Sequence, residues 1–520
     1  MSVRVRFAPS PTGRLHVGAL RTALYDFLFA RNQGGVNVLR IEDTDQGRYS
    51  HEAEVEFIEA LAWAGIEFDE GPHVGGPHAP YRQSERKAAG VYSKWIAQLL
   101  DSGKAYKAFD TPEELSEMRE YQQINKQQIG YFGGIWREAI PDQVASAEAA
   151  GKPFVIRLKV PRGQRIVFED AIRGRIEWNS DELDDPVLIK GDGMPTYHFA
   201  AIVDDHLMGI THVIRGEEWI SSAPKHICLI EAFGWEQPIW VHCPVIVGND
   251  GKKLSKRHGA TSVLDYRAMG FLPEALANFV ALIGWAPGGD REVMPGRELI
   301  EAFGLDGLQP SSGRFDFEKL KWMNGNYIRL MSPEELASAL IAYISVPWNL
   351  EFWSSYVREE GEPSPISGDP LLVAAQLELL DKSYRTDKTY TIDAITLCQE
   401  RAATLSDFGE ACAFFFQDEL PMDAKAVEKW FSQEHVPLLF SALLEWVGSL
   451  GSSVKVEDCE AFLRGYAEKN GMEKLGPVVH PTRVALTGKT TGPGLFELMS
   501  LLGPERMGVR FRRALKVAER

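Results

Sequence analysis

Two short segments, far apart in the chain, carry residue types suited to holding phosphate. The first runs Phe7-Ala8-Pro9-Ser10-Pro11-Thr12-Gly13-Arg14-Leu15-His16-Val17-Gly18 and joins a strand-like pattern to a helical one. Gly13 and Gly18 let backbone or phosphate approach closely. A helix start offers unpaired N–H groups and the positive end of its dipole to an anion. Thr12 and His16 add side-chain donors. The spacing is neither the dinucleotide glycine pattern nor the phosphate loop that ends Gly-Lys-Ser/Thr. The second segment is Gly251-Lys252-Lys253-Leu254-Ser255-Lys256-Arg257-His258-Gly259. Its four lysine and arginine side chains, bounded by glycines, suit a clamp that steadies charge on transferring phosphates. Each segment alone is equally an ordinary loop, with His16 capping or buried in the first and solvated cations in the second.

A third set of polar groups falls at strand ends. Arg40-Ile41-Glu42-Asp43-Thr44-Asp45 closes the second strand pattern. Acids there face the crevice of an open α/β sheet and suit an ammonium, a hydroxyl or a magnesium ion. Pro195-Thr196-Tyr197-His198 and Arg215-Gly216-Glu217-Glu218-Trp219 add further polar groups. Arg215 is suited to pair bidentately with a carboxylate. Tyr197 and Trp219 are suited to wall a pocket.

The elements that must position these groups follow from hydrophobic period. Residues 3–7 alternate as a strand, and 18–30 carry Leu20, Leu24, Phe27 and Leu28 on one helical side. A second strand at 36–41 and a helix at 50–64 complete a βαβα order. That order predicts a parallel sheet covered by helices, an α/β Rossmann-like unit. A helix is expected at 80–102. Between 105 and 198 lies a mixed pattern: a polar helix at 112–127, a Gly-rich turn at 130–134 and strands near 153–160 and 164–168. This predicts an α+β insertion between halves of the sheet. Strands recur near 211–215 and 244–247, around a helix at 221–233. From 260 the chain turns helical, with a Gly/Pro-marked loop at 286–296. Further helices are expected at 332–344, 368–382, 391–405, 423–433, 437–447 and 455–469, with 358–370 a surface loop or boundary.

Composition bounds these readings. A chain of 520 residues calls for several domains. No repeat or low-complexity period occurs, and no stretch approaches the ~20 apolar residues of a membrane span. The N-terminus enters a strand pattern with no basic-then-apolar targeting segment, so cytoplasmic residence is expected. Cys228, Cys243, Cys398, Cys412 and Cys459 include no CxxC pair, which argues for core thiols over a disulfide framework. Net charge is −17, yet residues 471–520 carry nine Lys or Arg against four Asp or Glu, or +5. A local basic surface is what a polyanion needs.

Taken together, these residues resemble bacterial-type glutamyl-tRNA synthetases, of the class I aminoacyl-tRNA synthetase family. Pro9 to Ala19 resembles the family's first signature, ending His16-Val17-Gly18-Ala19 where many relatives end in histidine. Lys253-Leu254-Ser255-Lys256-Arg257 resembles the second signature, with both lysines and the serine kept. The resemblance implies ATP, with Mg2+, as a substrate and glutamyl-adenylate plus pyrophosphate as first products. A ribose hydroxyl of tRNA(Glu), expected to be the 2′-OH, then takes the glutamyl group. It implies catalytic roles for Thr12, His16, Lys253 and Lys256. Pro9, Gly18, Leu254, Ser255 and Lys256 would bind ATP. L-glutamate would meet Arg6, Ala8, Ser10, Glu42, Tyr197, Arg215, Glu218 and Trp219. Arg6 and Arg215 would grip its carboxylates, and Glu42 its ammonium. Asp204-Asp205-His206 also matches family sequence, without an assigned role.

The resemblance also implies a fold: a Rossmann-like class I synthetase catalytic domain with an α+β insertion, then an all-α anticodon-binding region. Its boundaries fall at 1–108 and 199–259 for the catalytic halves and 109–198 for the insertion, which would grip the tRNA acceptor end. A helical junction at 260–330 precedes two helical anticodon-binding domains, 331–395 and 396–520. Lys319 to Ile328, with Trp322, Asn324 and Tyr327, matches the family junction, and Arg385, Lys388 and Thr389 an interior landmark. In the last domain Arg483 is the candidate tRNA contact, while Leu486, Leu495 and Phe496 suit bundle core. A monomer is expected. The alternatives are a form that also glutamylates tRNA(Gln), a short tRNA-modifying relative, a tRNA-binding regulator without catalysis and a small-substrate nucleotidyltransferase. The long helical half argues against the second and the last. Many relatives hold zinc in the insertion through thiolates. Here Ala108, Asp110 and Trp136 stand at those positions, so no zinc-binding set remains, and Tyr131, Phe132 and Trp136 are expected to fill a small apolar core instead. Elemental analysis of the purified protein is expected to find no stoichiometric zinc; one zinc per chain would refute this.

Overall fold

The computed structural model describes residues 2–254, 262–355, 369–417 and 419–519. Two compact units result: Met1–Leu264 with Leu276–Asp316, and Asp265–Ala275 with Phe317–Arg520.

The first unit opens with β1 (Arg4–Phe7), α1 (Val17–Asn32) and β2 (Val36–Leu39), as the alternation predicts. β1 and β2 pair in parallel, Arg4 to Val36 through Phe7 to Leu39. α1 buries Val17, Leu20, Ala23, Leu24 and Leu28. After α2 (His51–Trp63), the expected helix at 80–102 divides into α3 (Gln83–Ala88) and α4 (Ser93–Asp101). Gly90, at φ +72°, breaks it, a left-handed backbone that glycine adopts without strain.

The insertion holds β3 (Ala105–Ala108), α5 (Pro112–Ile124), α6 (Pro141–Ala149), β4 (Val155–Leu158), β5 (Arg165–Asp170), β6 (Gly174–Asn179) and β7 (Val187–Ile189). Thr111 and Glu114 form a reciprocal capping box that fixes the start of α5. β3, β4 and β7 make an antiparallel sheet. Behind it Tyr106, Ala108 and Tyr131 are buried, with Trp136 packed against them. Phe132 lies instead beneath the Arg162 guanidinium, 5.7 Å away. Asp110 accepts a hydrogen bond of 2.7 Å from the Tyr131 hydroxyl. Around Ala108, Asp110 and Trp136 the structure therefore holds apolar packing and one phenol–carboxylate bond.

α7 (Tyr197–Leu207), β8 (His212–Gly216), α8 (Ala223–Phe233) and β9 (Ile239–Cys243) then return to the first fold half. The strand expected near 244–247 is shorter, and β10 spans only Ile246–Val247. β8 and β9 are parallel, and β5 joins them through Asp170 opposite Trp240, giving the order β6-β5-β9-β8. Thr211 N–H donates to Arg4 O, 2.9 Å, which sets β1 beside β8. The result is the Rossmann-like parallel arrangement. Its core includes Val38, Tyr92, Leu99, Phe168, Phe199, Ile202, Val213, Ile227 and Trp240. Asp204 accepts from Arg86 at 2.6 Å, Gln83 at 3.0 Å and Tyr92 at 2.9 Å, and so ties α7 to α3 and α4. α9 (Val263–Ala268), α10 (Pro273–Ala281), α11 (Gly296–Ala302) and the short β11 (Gly313–Arg314) follow.

The second unit is helical: α12 (Phe317–Leu330), α13 (Pro333–Ile344), α14 (Pro347–Ser355), α15 (Pro370–Thr386), α16 (Lys388–Cys398), α17 (Asp407–Phe416), α18 (Ala424–Phe431), α19 (Val436–Ser449), α20 (Val456–Lys469), α21 (Gly476–Thr487) and α22 (Leu495–Ala518). The helix expected at 391–405 ends at Cys398, and α17 is a separate helix. Leu486 and Leu495 are buried, whereas Phe496 is only half-buried. Part of the basic tail turns inward: Arg510 donates to Leu486 O and Phe414 O, and Arg506 to Phe415 O. All five cysteines are buried and free. Among the described residues, no helix is long and apolar enough to cross a membrane.

Asp26, on α1, is fully buried, and neither carboxylate oxygen has a hydrogen-bond partner among the described residues. Burial pushes its pKa well above the carboxylate range, against the pull of Arg6 and with some repulsion from Asp205. A raised folded pKa means stability that is complete in acid and is lost as pH climbs from the unfolded value toward the folded one. Asp26→Asn removes this loss. In urea unfolding between pH 5 and pH 8, the variant is expected to gain on the wild type by on the order of 1 kcal/mol per pH unit within that window. Parallel pH profiles of the two proteins would refute it.

Candidate active site

The ends of β1, β2 and β8, the starts of α1 and α7, and Lys253 and Leu254 enclose one cleft of about 640 Å³. Of the predicted residues, Arg6, Ala8, Pro9, Ser10, His16, Gly18, Glu42, Tyr197, Arg215, Glu218, Trp219, Lys253 and Leu254 all line it. Thr12 does not; it is exposed, and its N–H donates to Ser10 O. Ser255 and Lys256 lie outside the described residues. Arg483 belongs to the second unit, where its guanidinium donates to Pro493 O at 2.5 Å.

The first turn is pinned from behind. Arg40 N–H donates to Phe7 O and Glu42 N–H to Pro9 O, so the turn follows the end of β2. His16 is the N-cap of α1, and its Nδ1 accepts the Ala19 N–H at 3.2 Å. A Cβ at Gly18 would stand 3.1 Å from that Nδ1. The glycine therefore makes room for the imidazole to fold over the helix start. Partial burial, then the nearby Lys253 cation, lower the His16 pKa, with Glu218 opposing. A neutral ring that accepts at Nδ1 carries its proton on Nε2. Lys253 is held by a bridge to Val247, and Leu254 N–H donates to Ile246 O. After the undescribed residues, Ser262 pairs with His16 itself.

Two arginines at the base of the cleft differ in their company. Arg6 and Arg40 both donate to Asp205, at 3.1 and 2.6 Å, and Arg40 also to Glu42 at 2.9 Å. Asp205 thus belongs to a compensated ion cluster. Burial raises the Glu42 pKa, with Arg40 and Arg6 opposing. Arg215 is equally buried, yet no carboxylate among the described residues lies within ion-pairing distance of it. Its Nε donates to His242 Nε2 at 3.0 Å. One terminal nitrogen reaches the Tyr197 hydroxyl at 3.3 Å and His226 Nδ1 at 3.2 Å, and the other Trp219 O at 3.4 Å. Sequence reading missed His226 and His242. The available signal was their place in apolar runs: His242 near the end of β9, and His226 on the inner side of α8.

Arg21, also missed, lines the cleft from α1 and donates to Ile283 O at 3.2 Å and to Pro244 O. Among the described residues, no group of three His, Cys, Asp or Glu side chains could hold a metal ion.

A parallel α/β sheet with a cleft at its strand ends, a histidine-capped helix start and a lysine facing it are the features of class I tRNA synthetases. The family described as "tRNA synthetases class I (E and Q), catalytic domain" matches residues 2–322, and "Anticodon binding domain" matches 371–515. The glutamate–tRNA ligase of Thermus thermophilus is 42% identical over 99% of this chain and 100% of its own length. That of Desulforamulus reducens is 39% identical over 99% and 100%. A solved glutamate tRNA ligase from Elizabethkingia meningosepticum, in complex with its amino acid, superposes with a TM-score of 0.84 at 36% identity, covering 99% of both chains. The chain belongs to the glutamate–tRNA ligase family of class I synthetases, and it is an enzyme.

Gly216 offers a direct check of the geometry. Its φ of −66° suits any residue, but a Cβ there would run into the Glu218 carboxylate. Gly216→Ala must therefore shift the Glu218 carboxylate from its place in the cleft wall. The variant is expected to fold normally, with aminoacylation reduced on the order of ten- to a hundredfold. Wild-type kinetics would show that Glu218's position does not matter.

Proposed function

We propose that this enzyme activates L-glutamate with ATP and transfers it to the terminal adenosine of tRNA(Glu). The observation that carries the reading is Arg215: a buried cation, without a carboxylate partner among the described residues, at the base of a cleft rimmed by His16 and Lys253. An entering carboxylate would complete it, since a guanidinium and a carboxylate match bidentately. Glu42, half-engaged by Arg40, suits the substrate ammonium. Tyr197 and Trp219, with ring centroids 4.6 Å apart, wall that end.

In the first step an oxygen of the glutamate α-carboxylate attacks the ATP α-phosphorus. The bond to the bridging oxygen breaks, and pyrophosphate leaves. The α1 start, His16 Nε2–H, Lys253 and, on sequence grounds, Lys256 would meet the phosphates. Mg2+ would arrive as the partner of ATP, held by its phosphates. In the second step the tRNA 2′-OH attacks the acyl carbon, loses its proton and expels AMP. No protein nucleophile is required; placement and charge stabilisation carry both steps. The insertion would take the acceptor end, and the helices beyond residue 330, Arg483 among them, the anticodon.

Aminoacylation with purified tRNA(Glu) and tRNA(Gln), each offered glutamate or glutamine, tests the reading. Glutamate on tRNA(Glu) is expected. Glutamate on both tRNAs would identify the relaxed form, and no aminoacyl product would refute the proposal. Arg215→Gln is expected to raise KM for glutamate by about tenfold or more, the loss of a charged hydrogen-bonded pair, with KM for ATP little changed. An unchanged glutamate KM would remove Arg215 from substrate binding.

A further inference from the structure

Arg215 has only donors to offer, and that fixes the protons on the rings around it. A guanidinium carries five N–H groups and no acceptor. His242 Nε2 and His226 Nδ1 must therefore each present a lone pair. In a neutral ring the other nitrogen then holds the proton. For His226 that nitrogen is Nε2, 3.0 Å from His198 Nδ1. For His242 it is Nδ1, 2.7 Å from Asp170 Oδ2.

Asp170 closes β5 and is itself buried. Its Oδ2 also accepts His242 N–H at 3.1 Å. Its Oδ1 accepts Ile172 N–H and Arg173 N–H, both at 3.0 Å. All four directions bring donors, so only a carboxylate satisfies them. An asparagine has one acceptor oxygen and one amide that must face donors somewhere. If the amide faces His242, the ring takes the other tautomer, and its Nε2–H opposes Arg215 Nε–H.

We infer that Asp170 is a positioning residue for amino-acid recognition: it selects the His242 tautomer whose Nε2 lone pair holds Arg215 in the plane presented to the cleft. The inference rests on the reading that Arg215 meets a substrate carboxylate. Asp170 touches no substrate; His242 stands between. The chain Asp170–His242–Arg215 runs from the insertion hairpin, across β9, to the end of β8. It makes the insertion's hairpin part of the apparatus that sets glutamate affinity. Burial, the first cause, lowers the His242 pKa despite Asp170, in keeping with a neutral ring.

The test is steady-state aminoacylation by Asp170→Asn, His242→Gln, the double variant and Arg215→Ala. Asp170→Asn is expected to raise KM for glutamate about tenfold, with KM for ATP within about twofold, as for loss of one charged hydrogen bond in substrate binding. In His242→Gln the carboxamide oxygen can accept from Arg215 without help. Adding Asp170→Asn there should change KM for glutamate by less than about twofold, the mark of two residues acting in one line. An unchanged glutamate KM in Asp170→Asn overturns the inference, and so does the same increment in both backgrounds. Arg215→Ala separates the two readings. An unchanged glutamate KM there overturns the substrate role of Arg215 and this inference with it. A raised KM there beside an unchanged one in Asp170→Asn overturns this inference alone. Nitrogen-15 NMR of the His242 ring in the wild-type enzyme depends on no variant folding. The proton is expected on Nδ1, and a proton on Nε2 overturns the inference.

Discussion

A buried guanidinium that is not neutralised by its own protein is costly, because leaving water takes several kcal/mol that a carboxylate usually returns. Arg215 is held instead by neutral acceptors: a phenol, two ring nitrogens and a backbone carbonyl. The indole of Trp240 lies 4.9 Å from the guanidinium carbon and adds the attraction of its face. These partners satisfy hydrogen bonds without cancelling charge. The contrast is with Arg6 and Arg40, whose charges Asp205 and Glu42 already meet. Among the described residues, one side of the cleft floor is compensated and the other is not, which gives a negatively charged ligand one direction in which to point. Tyr197 comes from α7, His226 from α8 and His242 from β9, so much of the sheet and its cover converge on this one charge.

The rim obeys a related constraint. To cap α1, His16 must keep a lone pair on Nδ1, and a protonated ring has none. Burial and Lys253 both favour the neutral form. Capping therefore does not compete with a role toward phosphate; it fixes which nitrogen is left to donate. Gly18 matters here for space beside the ring, and the His-x-Gly spacing follows from one turn of chain folding back over its own helix start.

Much of this was legible in the sequence, for physical reasons that differ between residues. Strand alternation and a glycine-marked turn reveal β1, α1 and β2, because those signals are local. Glu42 and Arg215 could be named because polar groups at strand ends face a sheet's crevice. Asp170 obeys the same rule, yet its strand lay in a segment read as insertion, and its parallel pairing with β9 is a contact across 70 residues that no local pattern carries. His226 and His242 sit in apolar runs, where a histidine looks like core until a cation is found beside it. Asp204 and Asp205, adjacent in sequence, serve different partners: one ties α3 and α4, the other Arg6 and Arg40. Only the fold separates them.

The insertion is organised around one buried carboxylate. Asp185 is fully buried and accepts from Arg137 at 2.5 and 2.7 Å, Arg162 at 2.9 Å, the Tyr106 hydroxyl at 2.7 Å and Val160 N–H at 3.1 Å. Arg157 donates to its carbonyl and lies 3.8 Å over the Tyr131 ring. A metal joins distant segments by being one multivalent centre. This carboxylate does the same with opposite sign, drawing β3, the 131–137 turn and the 160–162 loop to one point. Such a cluster is not strong evidence of stability, since desolvation offsets much of the attraction. Its value lies in geometry. Removing any one partner leaves a buried charge or donor unmet, so the neighbouring loops have one arrangement that satisfies them all. An apolar core alone, as expected from Tyr131, Phe132 and Trp136, would fill the space without fixing those loops.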